Sequence, residues 1–485
     1  MQWTIHLLAQ IEKQTRYALP YEKRYRNQWV LPFIEREYRE VYGDRVDLLK
    51  PAIEAPRTGT AAIGIDALVQ RLGVQGAASE NAEAARLVQE AWEDNDLDVM
   101  HRHAHTEALI KARSFGSVHR SRDGRAIVGI ESAEQMAVHR EKAPPYDVDA
   151  SLKVLADEWT GQNRGLLRLP GRDLELIEGV DVVDDPERSG ERSRWVVVKE
   201  TATRLPGVPD VEFACRPRLL VEPSSEIEPI ASSVDIVDLV EGLMVFAGHF
   251  GAVPIRYGTG LTVPRDPEDD SKPLLGPDGK PMLAFKARSD QFWGDTNHEA
   301  RFGQLTPAGL AGFVTWAEHA SSRVRAQTSV ASTYYSLDLK SHMSAELLKT
   351  DEAPMVRRVL SMGRDGDFNQ AWRRLQTYIL QVEAPGIRAR MKPRWADPNT
   401  RVEAAAVDSF VKAVAAGLGV RTAAEQFLGW DRDLVDRAVD EAETARATLL
   451  EAGSADIERI QSDLLKLVPN TPSALPAPQP SDAAA

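Results

Sequence analysis

From Gln304 to Val382 the chain alternates helical-period stretches with a single polar break, an arrangement that suits helical hairpins far better than a sheet. Thr306-Pro307 reads as a helix start. Thr serves as N-cap, and Pro sits at the first helical position, where its missing N–H costs nothing. Leu310, Phe313, Val314, Ala317 and Val324 then recur on one face. The period dissolves in Gln327–Ser336, a run of mostly small hydroxylated residues. It returns after His342–Leu347 and continues through Phe368, Trp372, Leu375, Ile379 and Val382. The expectation is one long helix bent at Pro354. A polar loop held between substantial helices suggests a segment presented to a surface, a channel or a partner. No catalytic motif accompanies it.

The 485 residues suffice for two or three domains, and 43% hydrophobic content means most of them should fold. A net charge of −14 argues against a protein that coats nucleic acid, which would be basic. It leaves room for DNA that passes through a cavity without being gripped. A single cysteine, Cys215, excludes an intramolecular disulfide and a cysteine-based zinc site, so a reducing compartment is the default. Residues 1–10 lack a basic segment leading a long apolar run, so they do not read as a signal peptide. No window approaches the roughly 18 consecutive apolar residues of a membrane span. The expectation is a soluble protein made in a cytoplasm.

The fold class expected is α+β and mainly helical. Residues 1–60 carry Tyr21, Tyr25, Trp29, Phe33, Tyr38 and Tyr42, which read as aromatic anchors of amphipathic helices. A base-stacking surface is weakened by Glu35, Glu37 and Glu40 nearby. Ile63–Leu72 reads as a short apolar helix. Residues 81–113 form a longer helical region with Trp92, Val99, Leu109 and Ile110 as core positions. Strands follow around a turn at Ser121–Gly124, with further strands at 193–199 and 211–221. Residues 1–230 are taken as one α+β domain.

Ser232–Asp235 resembles a capping box that opens a helix through Val237, Val240, Leu243, Met244 and Ala247. Val253–Arg256 reads as a strand, and Asp278-Gly279 as a hairpin turn inside a small β-rich insertion, 250–304. Residues 339–395 hold eleven Lys/Arg against six Asp/Glu; residues 396–485 hold eight against fifteen, so the charge balance reverses there. The arginines 357, 358, 373 and 374 suit a solvated face, pairing with acidic neighbours, or contact with DNA phosphates. Helices are expected at 400–417, 422–428, 431–452 and near 454–468. From Pro469 the Pro/Ala/Ser-rich composition predicts a disordered tail.

The chemical motifs are thin. His101 and His105 stand i,i+4 and could chelate a metal, but position 102 is Arg where a zincin has Glu; an exposed helix face is the plainer reading of His101, His103 and His105. Asp94, Asp96 and Asp98 lack the Gly and terminal Glu of a calcium loop. Gly258 and Gly260 have no third glycine at dinucleotide spacing, and Gly363–Gly366 lacks the Lys-Ser/Thr of a P-loop. No Gly-x-Ser-x-Gly elbow occurs. No catalytic residue, metal or cofactor is expected.

Taken in order, these segments resemble the portal proteins of long-tailed bacteriophages, especially those infecting actinobacteria, over residues 20–450 or so. Ile65–Gly76 is similar to an early family helix, Val-Asp-x-x-x-x-Arg-Leu-x-Val-x-Gly. Trp92–Asp98 followed by Ala108–Val118 is similar to the next element. The helix before Ala252–Gly260 is similar to one preceding a Pro-x-Arg-x-x-x-Gly strand, and Ser344–Leu348 to a Ser-Ala-Glu-Ala-Leu helix. The break at 327–333 departs from the family's Thr-Gly-x-Pro.

The resemblance implies a ring, usually of twelve subunits, at one capsid vertex of the virion. DNA would enter through its axial channel under the terminase large subunit and leave by the same route. Residues 1–230 and 339–395, including a long kinked helix, would form the wing. Residues 231–249 and 305–326 would be stem helices, 250–304 the clip, 327–338 the tunnel loop and 396–468 the helical crown. Thr328, Ser329, Ser332, Thr333, Tyr334 and Tyr335 would line the channel. Partners implied are double-stranded DNA, a head–tail adaptor, the major capsid protein and scaffold, with assembly in the bacterial cytoplasm and no membrane. Alternatives of another class are a phage or bacterial hydrolase, or a monomeric helical adaptor.

Overall fold

The structure is a computed structural model. It describes residues 2–30, 40, 58–141, 147–179, 195–203, 205, 207–252, 256–260, 264–267, 269, 271–276, 297–304, 309–335, 345–399, 403–430 and 432–452. The fold is α+β. The chain divides into two compact units, Met1–Asn399 and Thr400–Ala485.

The first unit begins with helix α1 (Gln2–Tyr25) and continues with α2 (Thr60–Val69), strand β1 (Val74–Ala78), α3 (Ala82–Asp94) and α4 (Leu97–Lys111). Asn81 caps α3 by accepting the Ala84 N–H at 3.0 Å. A hairpin of β2 (Arg113–Arg120) and β3 (Ala126–Ser132) follows. It turns where the sequence places it, with Gly124 at φ +89°. Then come β4 (Met136–Arg140), β5 (Val148–Ala156), β6 (Asn163–Leu169), β7 (Arg172–Glu178), β8 (Trp195–Ala202) and β9 (Asp210–Ala214). Strands β4 to β8 form one antiparallel meander in sequence order, and β9 pairs with β2 in a three-stranded sheet ordered β3-β2-β9.

After a 3₁₀ turn (Glu228–Ile230) come α5 (Ala231–Ala252), β10 (Arg256–Thr259), β11 (Arg301–Gln304), α6 (Ala311–Thr328) and a short α7 (Ser332–Tyr335). Helices α8 (Ala345–Met362) and α9 (Asp367–Glu383) lead to β12 (Lys392–Trp395), which pairs antiparallel with β1.

The main core is aromatic. Trp92 of α3, Trp372 and Phe368 of α9 and Phe213 of β9 are at most 2% exposed and pack together. Burying side chains of this size contributes roughly 1.5–3 kcal/mol each. Gly116 in β2 permits the approach of α9: a Cβ there would stand 3.0 Å from Leu375. Beyond β2, Phe115 joins Met136, Val138, Val148 and Val208 in a second cluster. In a third cluster, α1 lays Leu7 and Ile11 against Leu152, Leu167, Leu176 and Trp195 of the meander. Gln14 bolts the helix down by donating to the Ala133 and Met136 carbonyls, both at 2.8 Å.

Helices α5 and α6 pack antiparallel, and β10 pairs with β11 beyond them. The excursion's entry and exit meet at Ser233, whose hydroxyl donates to Gln327 Oε1 at 3.0 Å.

The second unit contains α10 (Glu403–Ala415), α11 (Val420–Ala423) running into a π-turn (Ala424–Leu428), and α12 (Arg432–Ala452), with Ala423, Ala424 and Val435 buried.

Several expectations need correction. Helix α6 starts at Ala311, not at Thr306-Pro307, because Gly309 and Leu310 are not helical; residues 305–308 lie outside the described residues. Its packed face runs through Phe313, Ala317, Ala320, Val324 and Thr328, leaving Leu310 and Val314 over 40% exposed. Val99 is 57% exposed, not core, since α4 turns it outward while Leu109 and Ile110 go in. Ser232–Asp235 does not cap α5: the 3₁₀ turn leads in, Ser233 bonds Gln327, and Asp235 holds Arg24 at 2.7 Å. The long helix breaks at Gly363–Gly366 and not at Pro354, which lies inside α8. The hairpin turn at Asp278-Gly279, the helix near 454–468, the tail from 469 and Phe33, Tyr38 and Tyr42 lie outside the described residues.

Candidate functional site

The polar break singled out by the sequence runs from the end of α6 through α7. Thr328 is the last residue of α6. It is buried, and its hydroxyl donates back to the Val324 carbonyl at 2.9 Å. Ser329 takes the left-handed conformation, φ +60°, and its N–H closes the helix on the Arg325 carbonyl at 2.9 Å. A non-glycine residue here is uncommon and holds only where the surroundings fix it. They do: Val330 and Ala331, which follow, are 4% and 1% exposed.

Ser332 is fixed twice. Its N–H and its hydroxyl both donate to Asp351 Oδ2 of α8, at 2.7 and 2.8 Å. Tyr334 meets Arg71, which also bonds Glu352 at 2.9 Å and the Pro398 carbonyl at 2.7 Å. Tyr335 points at α2, where a Cβ on Gly64 would stand 2.7 Å from the phenolic oxygen. Burial pushes its hydroxyl up to about 12, opposed by the Thr328 side chain. Thr333 is half-buried. Residues 336–338 of the expected loop lie outside the described residues.

The structure therefore brings Thr328 and Tyr335 together on the body of the molecule and ties Ser332 elsewhere, to α8. Ser329 and Ser332 line an open cleft of about 410 Å³ with Arg325, Asp351 and Pro354. The chemistry here is hydroxyl and amide hydrogen bonding with one cation and one anion. Sequence reading missed the anchors Asp351, Arg71 and Gly64. For Gly64 a signal existed: a glycine inside an apolar helix costs about 1 kcal/mol relative to Ala and marks a close approach.

The other singled-out residues have structural roles. His101 and His105 are 4% and 0% exposed, which corrects the exposed-face reading; only His103 is exposed. His105 Nε2 accepts the Trp372 indole N–H at 2.9 Å, and its ring stacks on Phe368 at 4.9 Å. Burial lowers its pKa to about 3, with His101 adding to the shift. Among the described residues no group of three His, Cys, Asp or Glu side chains could hold a metal ion. Asp98 accepts the Trp92 indole N–H at 2.7 Å, and Asp94 pairs with Arg125 at 2.7 Å. Gly258 pairs with Phe302 in the β10–β11 ladder, and Gly260 turns at φ +69°. Cys215 is buried, and burial pushes its thiol up. Arg358 pairs with the buried Glu226 at 2.5 Å, while Arg357 is exposed. No described helix is long and apolar enough to cross a membrane.

No protein-family profile matches the chain. Two curated relatives do. The portal protein of Mycobacterium phage L5 is 25% identical over 435 residues, covering 86% of this chain and 84% of that protein. The portal protein of Mycobacterium phage D29 is 25% identical over 368 residues, covering 73% and 72%. Among solved structures, a chain in the virion of a native gene transfer agent particle aligns with 80% of this chain and 94% of its own length, at 12% identity and a TM-score of 0.41.

Proposed function

We propose that this chain is a portal protein of a tailed bacteriophage, a structural subunit and not an enzyme. One observation carries the reading: the long correspondence with two mycobacteriophage portal proteins, over 86% and 73% of the chain. A shared module would match in part; a correspondence this long points to the same kind of whole protein.

On this reading, copies of the chain close into a ring of twelve around an axial hole at one capsid vertex, through which double-stranded DNA is packaged and ejected. The terminase large subunit and then a head–tail adaptor dock on it. Residues 231–249 and 305–326 are its stem and 250–304 its clip; the antiparallel pairing of α5 with α6 and of β10 with β11 supports that division. Residues 1–230 and 339–395 form the wing and 396–468 the crown.

Ser329, Ser332, Thr333 and Tyr334, with Thr328 and Tyr335 as buttresses, form the channel-facing turn. Hydroxyls offer weak, exchangeable contacts, which suits a conduit. A lining rich in Lys and Arg would hold many phosphates and stall sliding. The chain's net charge of −14 also repels a duplex from the walls.

The test is assembly. Native mass spectrometry and electron microscopy of the purified full chain are expected to show an annular oligomer with a central hole wide enough for a double helix. Monomers alone, at every concentration and salt tried, would overturn the reading.

A further inference from the structure

A cleft of about 420 Å³ opens between the residues entering β5 (Asp147, Val148), those entering β9 (Gly207, Val208) and one face of α9. Helix α9 lines it with Arg373, Arg374, Thr377, Tyr378 and Gln381. Both arginines are half-buried, and neither guanidinium forms an ion pair or hydrogen bond with a described residue. Partly desolvated guanidiniums with no directly paired carboxylate are costly to keep and favour a bound anion.

The charges around the cleft sharpen this. Of the two acids on its wall, Asp210 is already held by Arg168 Nη1 at 2.8 Å and by the Ser151 hydroxyl. Asp147 is solvent-exposed. A third cation, Arg140, lies close enough to disfavour the charged form of Arg374, second only to burial. Arg140 itself is engaged by Glu212 at 3.4 Å, a carboxylate shared with Arg113 at 3.3 Å. Asp147 acts on Arg374 from the same wall without pairing with it, so among the described lining residues two arginines face one acid that no other cation holds. The Gln381 side-chain oxygen is buried without a partner among the described residues and needs a donor.

We propose that this cleft binds a phosphate-class oxyanion, with Arg373 and Arg374 supplying charged donors and Tyr378 and Gln381 completing its hydrogen bonds. Guanidinium forks match tetrahedral oxyanions, and charge-assisted bonds are about twice as strong as neutral ones. A protonated phosphate oxygen also provides the donor that Gln381 lacks. The recessed shape favours a small anion over a duplex, whose convex backbone is gripped by exposed rows of cations. The site does not depend on ring formation.

The experiment titrates the full chain with sodium phosphate at constant ionic strength, balanced with chloride, by calorimetry and phosphorus NMR. Saturable binding near one anion per chain is expected. Arg373→Gln and Arg374→Gln should each weaken it about tenfold or more, the usual scale for losing one charge-assisted bond. Arg388→Gln, an exposed position outside the cleft, should bind as the parent does. If a glutamine variant unfolds, Arg374→Lys keeps the charge without the fork and should bind with intermediate affinity. Phosphate behaving like chloride would overturn the proposal, as would unchanged binding by both glutamine variants. Binding of a short DNA duplex through these arginines, with no phosphate binding, would also overturn it and assign the cleft to a nucleic-acid backbone.

Discussion

His105 shows how much a single buried side chain sets. Its folded pKa of about 3 lies far below the ordinary 6.5, so the folded chain keeps it neutral while the unfolded chain takes up a proton below about 6.5. Folding stability from this group is therefore complete above about pH 6.5 and is lost as pH falls toward 3. The slope approaches about 1.4 kcal/mol per pH unit in that window. His119, lowered to about 3 by burial and by Arg168, acts with the same sign. Denaturant midpoints are expected to fall between pH 7.5 and 5, and His105→Phe should flatten the slope; an unchanged slope would remove His105 from the account. A second residue-scale prediction concerns Asp210, 2% exposed against Arg168. Asp210→Ala should cost about 3–5 kcal/mol by chemical denaturation, because it strands a buried guanidinium. At this scale Trp92, Leu109 and Ile110 were legible as core. His101 and His105 were not: flanked by Arg102 and His103 they read as surface, and the Trp372 and Phe368 that pack on His105 come more than 260 residues later.

Among the elements, the turn from Ser329 to Tyr335 is held by few bonds, and they can be cut one at a time. Asp351→Ala removes the acceptor of both Ser332 donors and should cost about 1–3 kcal/mol. Amide exchange in 329–335 is expected to quicken while the β4–β8 meander stays protected; equal exchange in both chains would show that Asp351 does not hold the turn. Gly366→Ala attacks the break between α8 and α9. The new Cβ would lie 2.0 Å from the Ser361 carbonyl oxygen, so a loss of several degrees in thermal midpoint is expected by calorimetry. The helices here were legible from their period, but the position of the break was not. Pro354 sits on the exposed side of α8, where the Thr350 carbonyl it frees can reach water, so the helix carries through. Gly363 and Gly366 stop it instead. Most of the meander escaped the sequence reading, although Arg172–Glu178 places Leu174 and Leu176 two apart, a strand signal.

At the scale of the whole molecule, the three hydrophobic clusters found among the described residues lie within the first unit. A fragment ending at Asn399 should therefore keep a cooperative unfolding transition; a non-cooperative melt by circular dichroism would show that the second unit is needed for folding. The proposed function was legible only through order. No single motif identifies it, and the six residues proposed for the channel were chosen from a polar run whose anchors are contributed by α2, α8 and Arg71, remote in sequence. Distance along the chain hides such partners, since only folding brings them together. The meeting of Ser233 with Gln327 has a further consequence. A stretch of chain that leaves and rejoins its host at neighbouring points behaves like a tool in a chuck. Its far end can change in length without moving the two points at which it is held.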